Sequence, residues 1–158
     1  MRPTRRWIGF VALVVMIGGG AIAYGVSRPS AGALVMTVYM TRECGCCGEW
    51  VAHMKQGGFL VTTRYLPEGE LWRVKDHHGL PPSVRSCHTA EVGGYVLEGH
   101  IPADAVRRVL RTRPDILAAA VPGMPLGSPG MEVPGRTPDR YDVIAVHRDG
   151  ELGILERR

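Results

Sequence analysis

The chain has 158 residues, 45% hydrophobic and 6% aromatic, enough for one ordinary domain and a leader. It carries 19 basic and 15 acidic residues, but Arg2, Arg5, Arg6 and Arg28 lie in the first 33, and the remainder holds 15 of each sign. A neutral, aromatic-poor domain offers no electrostatic footprint for DNA or RNA, so nucleic acid is not an expected partner.

Arg2, Arg5 and Arg6 precede an uncharged, mostly apolar run from Trp7 to Val26, and Ala31-Gly32-Ala33 has the small-x-small form of a cleavage site. That order is the order of a secretory signal. The run is also about long enough to span a bilayer as an uncleaved anchor. Residues 1–33 are therefore expected to be a signal peptide or an N-terminal membrane anchor, and residues 34–158 an exported domain that meets a membrane only through that leader.

Leu34 to Met40 is a short apolar run with β-branched residues and reads as a strand. A helical pattern begins at Gly48, with Trp50, Val51 and Met54 on one face, and stops at Gly57-Gly58. Phe59 to Leu66 reads as a second strand and Glu68 to His78 as a second helix. Ser83 to Val92 reads as a third strand, Gly93-Gly94 as a tight hairpin turn and Tyr95 to His100 as a fourth strand. Ala103 to Thr112 is a helix ended by Pro114. Val121 to Pro138 holds five prolines and four glycines in eighteen residues and runs as neither helix nor central strand. It reads as a flexible linker or as a loop folded over a site. Tyr141 to His147 and Glu151 to Glu156 form a terminal hairpin around Asp149-Gly150.

A β-α-β half followed by a β-β-α half is the thioredoxin arrangement. The expected class is α/β, a thioredoxin-like three-layer fold with an added Pro/Gly/Met-rich loop and a C-terminal β-hairpin. In that arrangement a redox or metal site sits where the first strand meets the first helix. A cis proline facing it is expected at Pro82, with Pro81 as its rival.

Three of the four cysteines fall within Cys44-Gly45-Cys46-Cys47, and the fourth is Cys87. Structural disulfides suit an exported protein, and Cys44–Cys47 with Cys46–Cys87 is the easy full pairing. Cys44 and Cys47 are also spaced C-x-x-C at a helix N-terminus, where the dipole favours thiolates. Soft thiolates select Cu(I), zinc or iron–sulfur centres. Cys46 is superfluous to a dithiol enzyme and useful to a multi-ion cluster. Zinc is disfavoured, because one ion rarely takes two adjacent thiolates such as Cys46 and Cys47.

Cys87 and His88 read as strand neighbours pointing to opposite faces unless a bulge turns one of them, so Cys87 is the expected ligand and His88 a surface or hydrogen-bonded residue, with metal ligation as its secondary reading. His100 ends the next strand and stands as a further ligand or a supporting group. His77 and His78 read as helix-terminal surface residues, and His53 and His147 have no evident partner. Met124 and Met131 are candidate copper thioethers or plain packing residues.

The segments CGCCGEW, SCHTAEVGGYVLEGHIPAD and VPGMPLGSPGME, in this order, resemble the CopG family of periplasmic copper-resistance proteins. The resemblance spans about Met36 to Leu155. It implies a role in copper or silver tolerance and a Cu(I)-thiolate site, with more than one ion per chain among the options, on Cys44, Cys46, Cys47 and Cys87. Storage, handover to other periplasmic copper-handling proteins and Cu(I)/Cu(II) interconversion all fit. The alternative is a thiol–disulfide oxidoreductase using Cys44 and Cys47.

Overall fold

The computed structural model describes residues 34–158; the expected leader lies outside the described residues. Among the described residues no helix is long and apolar enough to cross a membrane. The elements in chain order are β1 (Val35–Met40), α1 (Gly45–Gln56), β2 (Leu60–Tyr65), α2 (Glu68–His77), a 3₁₀ turn (Pro82–Val84), β3 (Thr89–Val92), β4 (Tyr95–Gly99), α3 (Ala103–Thr112), β5 (Ala118–Val121), β6 (Asp142–Val146) and β7 (Leu152–Arg157).

All seven strands join one mixed sheet in the order β2-β1-β3-β4-β5-β6-β7. β1 runs parallel to β2 and β4 parallel to β5; the other neighbours are antiparallel. The α/β class and the expected order of elements through α3 are present. The terminal hairpin is a continuation of the same sheet, because β5, which sequence patterning does not reveal, bridges β4 to β6.

Strand alternation sorts the residues into two faces. Met36, Val38, Ala90, Leu97 and Ala119 pack with Trp50, Val51 and Met54 of α1 and Val106 and Val109 of α3. Val96, Ala118, Ala120 and Val146 face the other way, against Leu80 and Val84. Lys75 of α2 reaches Glu98 on that second face, so helices lie on both sides of the sheet and make three layers. Gly93 and Gly94 both take positive φ, 57° and 86°, as a two-residue hairpin turn demands.

Two expectations are corrected. No described peptide bond is cis; Pro81 is extended and Pro82 opens the 3₁₀ turn, where its fixed φ and missing N–H are harmless. The third strand begins at Thr89, so Cys87 and His88 precede it on irregular backbone.

Candidate metal site

α1 starts at Gly45, three residues before its apolar pattern becomes visible, and Cys44 is its N-cap. Cys46 and Cys47 therefore lie in its first turn. No side chain caps this end, so the positive pole of the helix faces the sulfurs. Cys47 is fully buried, while Cys44 and Cys46 are partly exposed. Cys44 and Cys47 form a disulfide, and Cys46 and Cys87 are free. Cys46 Sγ lies 3.7 Å from Cys44 Sγ.

Because Cys87 and His88 are outside the ladder, the opposite-faces argument does not apply, and both turn inward. The four sulfurs of Cys44, Cys46, Cys47 and Cys87 lie within 4.8 Å of one another. Cys87 Sγ also belongs to a second group, with ring nitrogens of His88 and His100 inside the same 4.8 Å limit. His88 is thus neither on the surface nor fully hydrogen-bonded. It is completely buried, its Nδ1 is 3.4 Å from Cys87 Sγ, and its Nε2 has no hydrogen-bond partner among the described residues. Its ring rests on Trp50 at 4.3 Å between centroids, and Trp50 is fixed in turn by donating from Nε1 to the Ile101 carbonyl at 2.9 Å.

His100 follows β4 and is also buried. Its Nδ1 lies 2.7 Å from the Pro129 carbonyl oxygen, which only accepts, so Nδ1 carries the hydrogen. In a neutral ring that leaves the Nε2 lone pair pointing at Cys87 Sγ, 3.0 Å away. A carbonyl that fixes an imidazole tautomer is a common support for a metal-ligating histidine.

The Pro/Gly-rich segment is this support, so the linker reading is corrected. Gly130 lies against the first turn of α1, where a Cβ would meet Cys46 O and Trp50 N at 2.8 Å, and its φ is +86°. Met131 is half-buried and donates its amide to Ser128 O at 2.7 Å. Met124 is exposed, with a left-handed φ of 50°. The remaining histidines serve elsewhere. His53 Nε2 accepts the Ala103 amide at 3.1 Å at the start of α3, and His78 pairs with Glu91 at 2.8 Å.

Burial, and next the neighbouring Cys46, push the Cys87 thiol up to about 12. Burial, then the charges of His100 and Lys75, holds His88 well below the usual imidazole value. Burial also lowers His100, against the pull of Pro129 and Glu132. Cys87, His88 and His100 are therefore neutral donors, and a cation that binds Cys87 must displace its proton. A cleft of about 460 Å³ reaches this sulfur, bordered by Cys44, Glu68, Trp72, Lys75 and Ser86. A clustered S-donor set with imidazole nitrogens beside it suits a soft monovalent ion, once the Cys44–Cys47 bridge has taken up two electrons.

Trp50, Pro129 and Gly130 are supports, and Lys75–Glu98 a buried ion pair, that sequence reading did not pick out. The visible signal for Glu98 is one charge inside the apolar run Tyr95 to Ile101.

A family of proteins described as of unknown function, DUF411, matches residues 84–131. Two solved structures are similar, each at 39% identity over 80% of this chain. One, described as copper resistance protein CopG, form 2, has a TM-score of 0.74 with 99% of its own chain covered. The other, described as form 1 of the same protein, has a TM-score of 0.73 with 98% covered. No curated protein matches.

Proposed function

The chain belongs to the CopG-like family of copper resistance proteins, and on that premise we propose that it binds Cu(I) for metal tolerance in the periplasm, to which its leader directs it. The observation that carries this reading is the gathering of four cysteine sulfurs within 4.8 Å, with His88 and His100 on Cys87. Four mutually close sulfurs can each bridge more than one soft ion, which a single C-x-x-C pair cannot do. Cys44, Cys46, Cys47 and Cys87 are the thiolate ligands. His100 Nε2 is a nitrogen donor held in the right tautomer, and His88 is a second one. Met124 and Met131 are secondary thioether candidates on the covering loop. Silver(I), equally soft, is the expected competitor.

Loading begins when an external dithiol reduces the Cys44–Cys47 disulfide to two thiols and leaves as its own disulfide. The thiols then give up their protons to solvent as copper binds, and His100 Nε2, 3.0 Å from Cys87 Sγ, keeps its lone pair for the ion. Storage, transfer to another copper-handling protein and Cu(I)/Cu(II) interconversion all use this ligand set. The second reading, a thiol–disulfide oxidoreductase, is favoured by one observation: Cys44 borders the open cleft while its partner Cys47 is fully buried. An incoming thiolate would attack Cys44 and release Cys47.

Anaerobic Cu(I) titration of the reduced protein, with metal quantified after gel filtration, decides between them. Several retained ions per chain, fewer in Cys46→Ser, is the expected result. No retained copper, together with a freely cycling Cys44–Cys47 bridge, would replace the copper reading by the second.

A further inference from the structure

Lys75 and Glu98 form an ion pair with Nζ and Oε1 2.6 Å apart and side chains 2% and 0% exposed. Taking both charges out of water is expensive, and such a pair seldom stabilises a fold more than an apolar pair of the same volume. Its presence calls for a reason other than stability.

The geometry supplies one. Thr89, directly opposite Glu98 in the β3–β4 ladder, accepts from Lys75 Nζ at 2.9 Å and donates to Glu98 Oε2 at 2.7 Å. The remaining contact of the carboxylate is with the main chain: Ser86 N donates to Glu98 Oε1 at 2.6 Å. Ser86 immediately precedes Cys87, on backbone that belongs to no strand. On the other flank, the His88 carbonyl accepts Gly99 N at 3.0 Å. Cys87 is therefore held between two fixed points, and the Glu98 carboxylate takes the place of the ladder bond that Ser86 lacks. Lys75 and Ser86 also border the cleft that Cys44 and Cys87 share.

We propose that Glu98, clamped by Lys75 and Thr89, is a positioning residue for the copper site: through the Ser86 amide it holds Cys87 within bridging distance of Cys44, Cys46 and Cys47. This rests on the copper reading above. Lys75 holds the carboxylate in place and balances its charge. An apolar pair would fill the space and leave the Ser86 N–H without an acceptor.

Two paired replacements separate this role from a purely structural one. Lys75→Met with Glu98→Gln removes both buried charges and keeps a carbonyl oxygen for Ser86. Lys75→Met with Glu98→Leu removes the charges and the acceptor. The readouts are Cu(I) affinity by anaerobic chelator competition and the alkylation rate of Cys87 by iodoacetamide, located by peptide mass mapping. The leucine pair is expected to weaken copper binding on the order of tenfold or more and to speed alkylation, with the glutamine pair close to wild type. In a Cys87→Ser background the leucine pair should cost no further affinity, since Glu98 acts through Cys87. Equal weakening in both pairs, or a loss that persists without Cys87, overturns the proposal. If wild type retains no Cu(I), the copper reading falls, and alkylation alone decides the positioning role: equal rates in all variants reject it. Should the leucine pair fail to fold, Ser86→Pro deletes the same N–H with the ion pair intact, and unchanged alkylation there also rejects it.

Discussion

Two buried polar clusters hang from the same end of the β3–β4 hairpin, and they are built on opposite rules. At the strand ends, Thr89 of β3, Glu98 of β4 and Lys75 of α2 satisfy one another at 2.6 to 2.9 Å. Just beyond the strand ends, Cys87, His88 and His100 touch one another, yet His88 Nε2 is buried with no partner among the described residues. The first cluster is complete within the protein. The second holds donor atoms that the fold alone does not use, which is the expected state of a site shaped for something added to it. Burial of polar groups thus separates into a supporting set and a ligating set, and variants should tell them apart.

The largest effect is expected from breaking the complete cluster on one side. Lys75→Met leaves the buried Glu98 carboxyl without its counter-ion and should cost about 3–5 kcal/mol, measured as a fall in the urea midpoint at constant slope. Gly130→Ala comes next. A side chain at φ +86° meeting Cys46 O and Trp50 N at 2.8 Å should cost about 2 kcal/mol. It should also weaken copper retention, because Gly130 packs on Cys46 and the same loop carries the Pro129 carbonyl that holds His100. An equal urea midpoint with unchanged copper binding would show that the loop does not bear on the site.

Acidification gives a smaller effect. His88 and His100 both have lowered folded-state values, so the native protein keeps them neutral while the unfolded chain takes up protons as pH falls through about 6.5. Their contribution is present above that value and is lost as pH drops, by at most about 1.4 kcal/mol per pH unit for each ring. The Tm of the reduced, metal-free protein should decline from pH 7.5 to 5. His88→Leu should flatten that decline, and an unchanged slope would exclude His88 as its source. The same variant has the smallest expected effect on stability at neutral pH, within about 1 kcal/mol, since a leucine fills the space without an unmet nitrogen. Copper should nevertheless dissociate faster from it. A large loss of neutral-pH stability would mean that the imidazole serves the fold.

Much of this was legible in the sequence. Turn glycines and apolar periodicity located the hairpins and helices, and the density of cysteines marked the site. β5 escaped because Ala118-Ala119-Ala120 offers no β-branched or alternating signal, although all three residues are fully buried between β4 and β6. The third strand was read too long, since Pro82–Val84 can look extended yet forms a tight turn. That error carried His88 to the wrong face: a rule of period two holds only where a ladder exists. The roles of Glu98, Trp50 and His53 depend on partners remote in the chain, and local patterning does not contain such pairings.

The loop over α1 has a consequence for how the protein comes into being. Cys44 at the helix cap and Cys46 and Cys47 in the first turn are synthesised long before Pro129 and Gly130, and long before β5 and β6, which flank that loop. A site with such distant parts closes late, because each long-range contact must first overcome the entropy of the chain between its ends. A partly folded molecule would therefore display its sulfurs without the Pro129 carbonyl that orients His100. Metal capture by the full ligand set then reports on completed folding, and copper retention becomes an assay of maturation as well as of affinity.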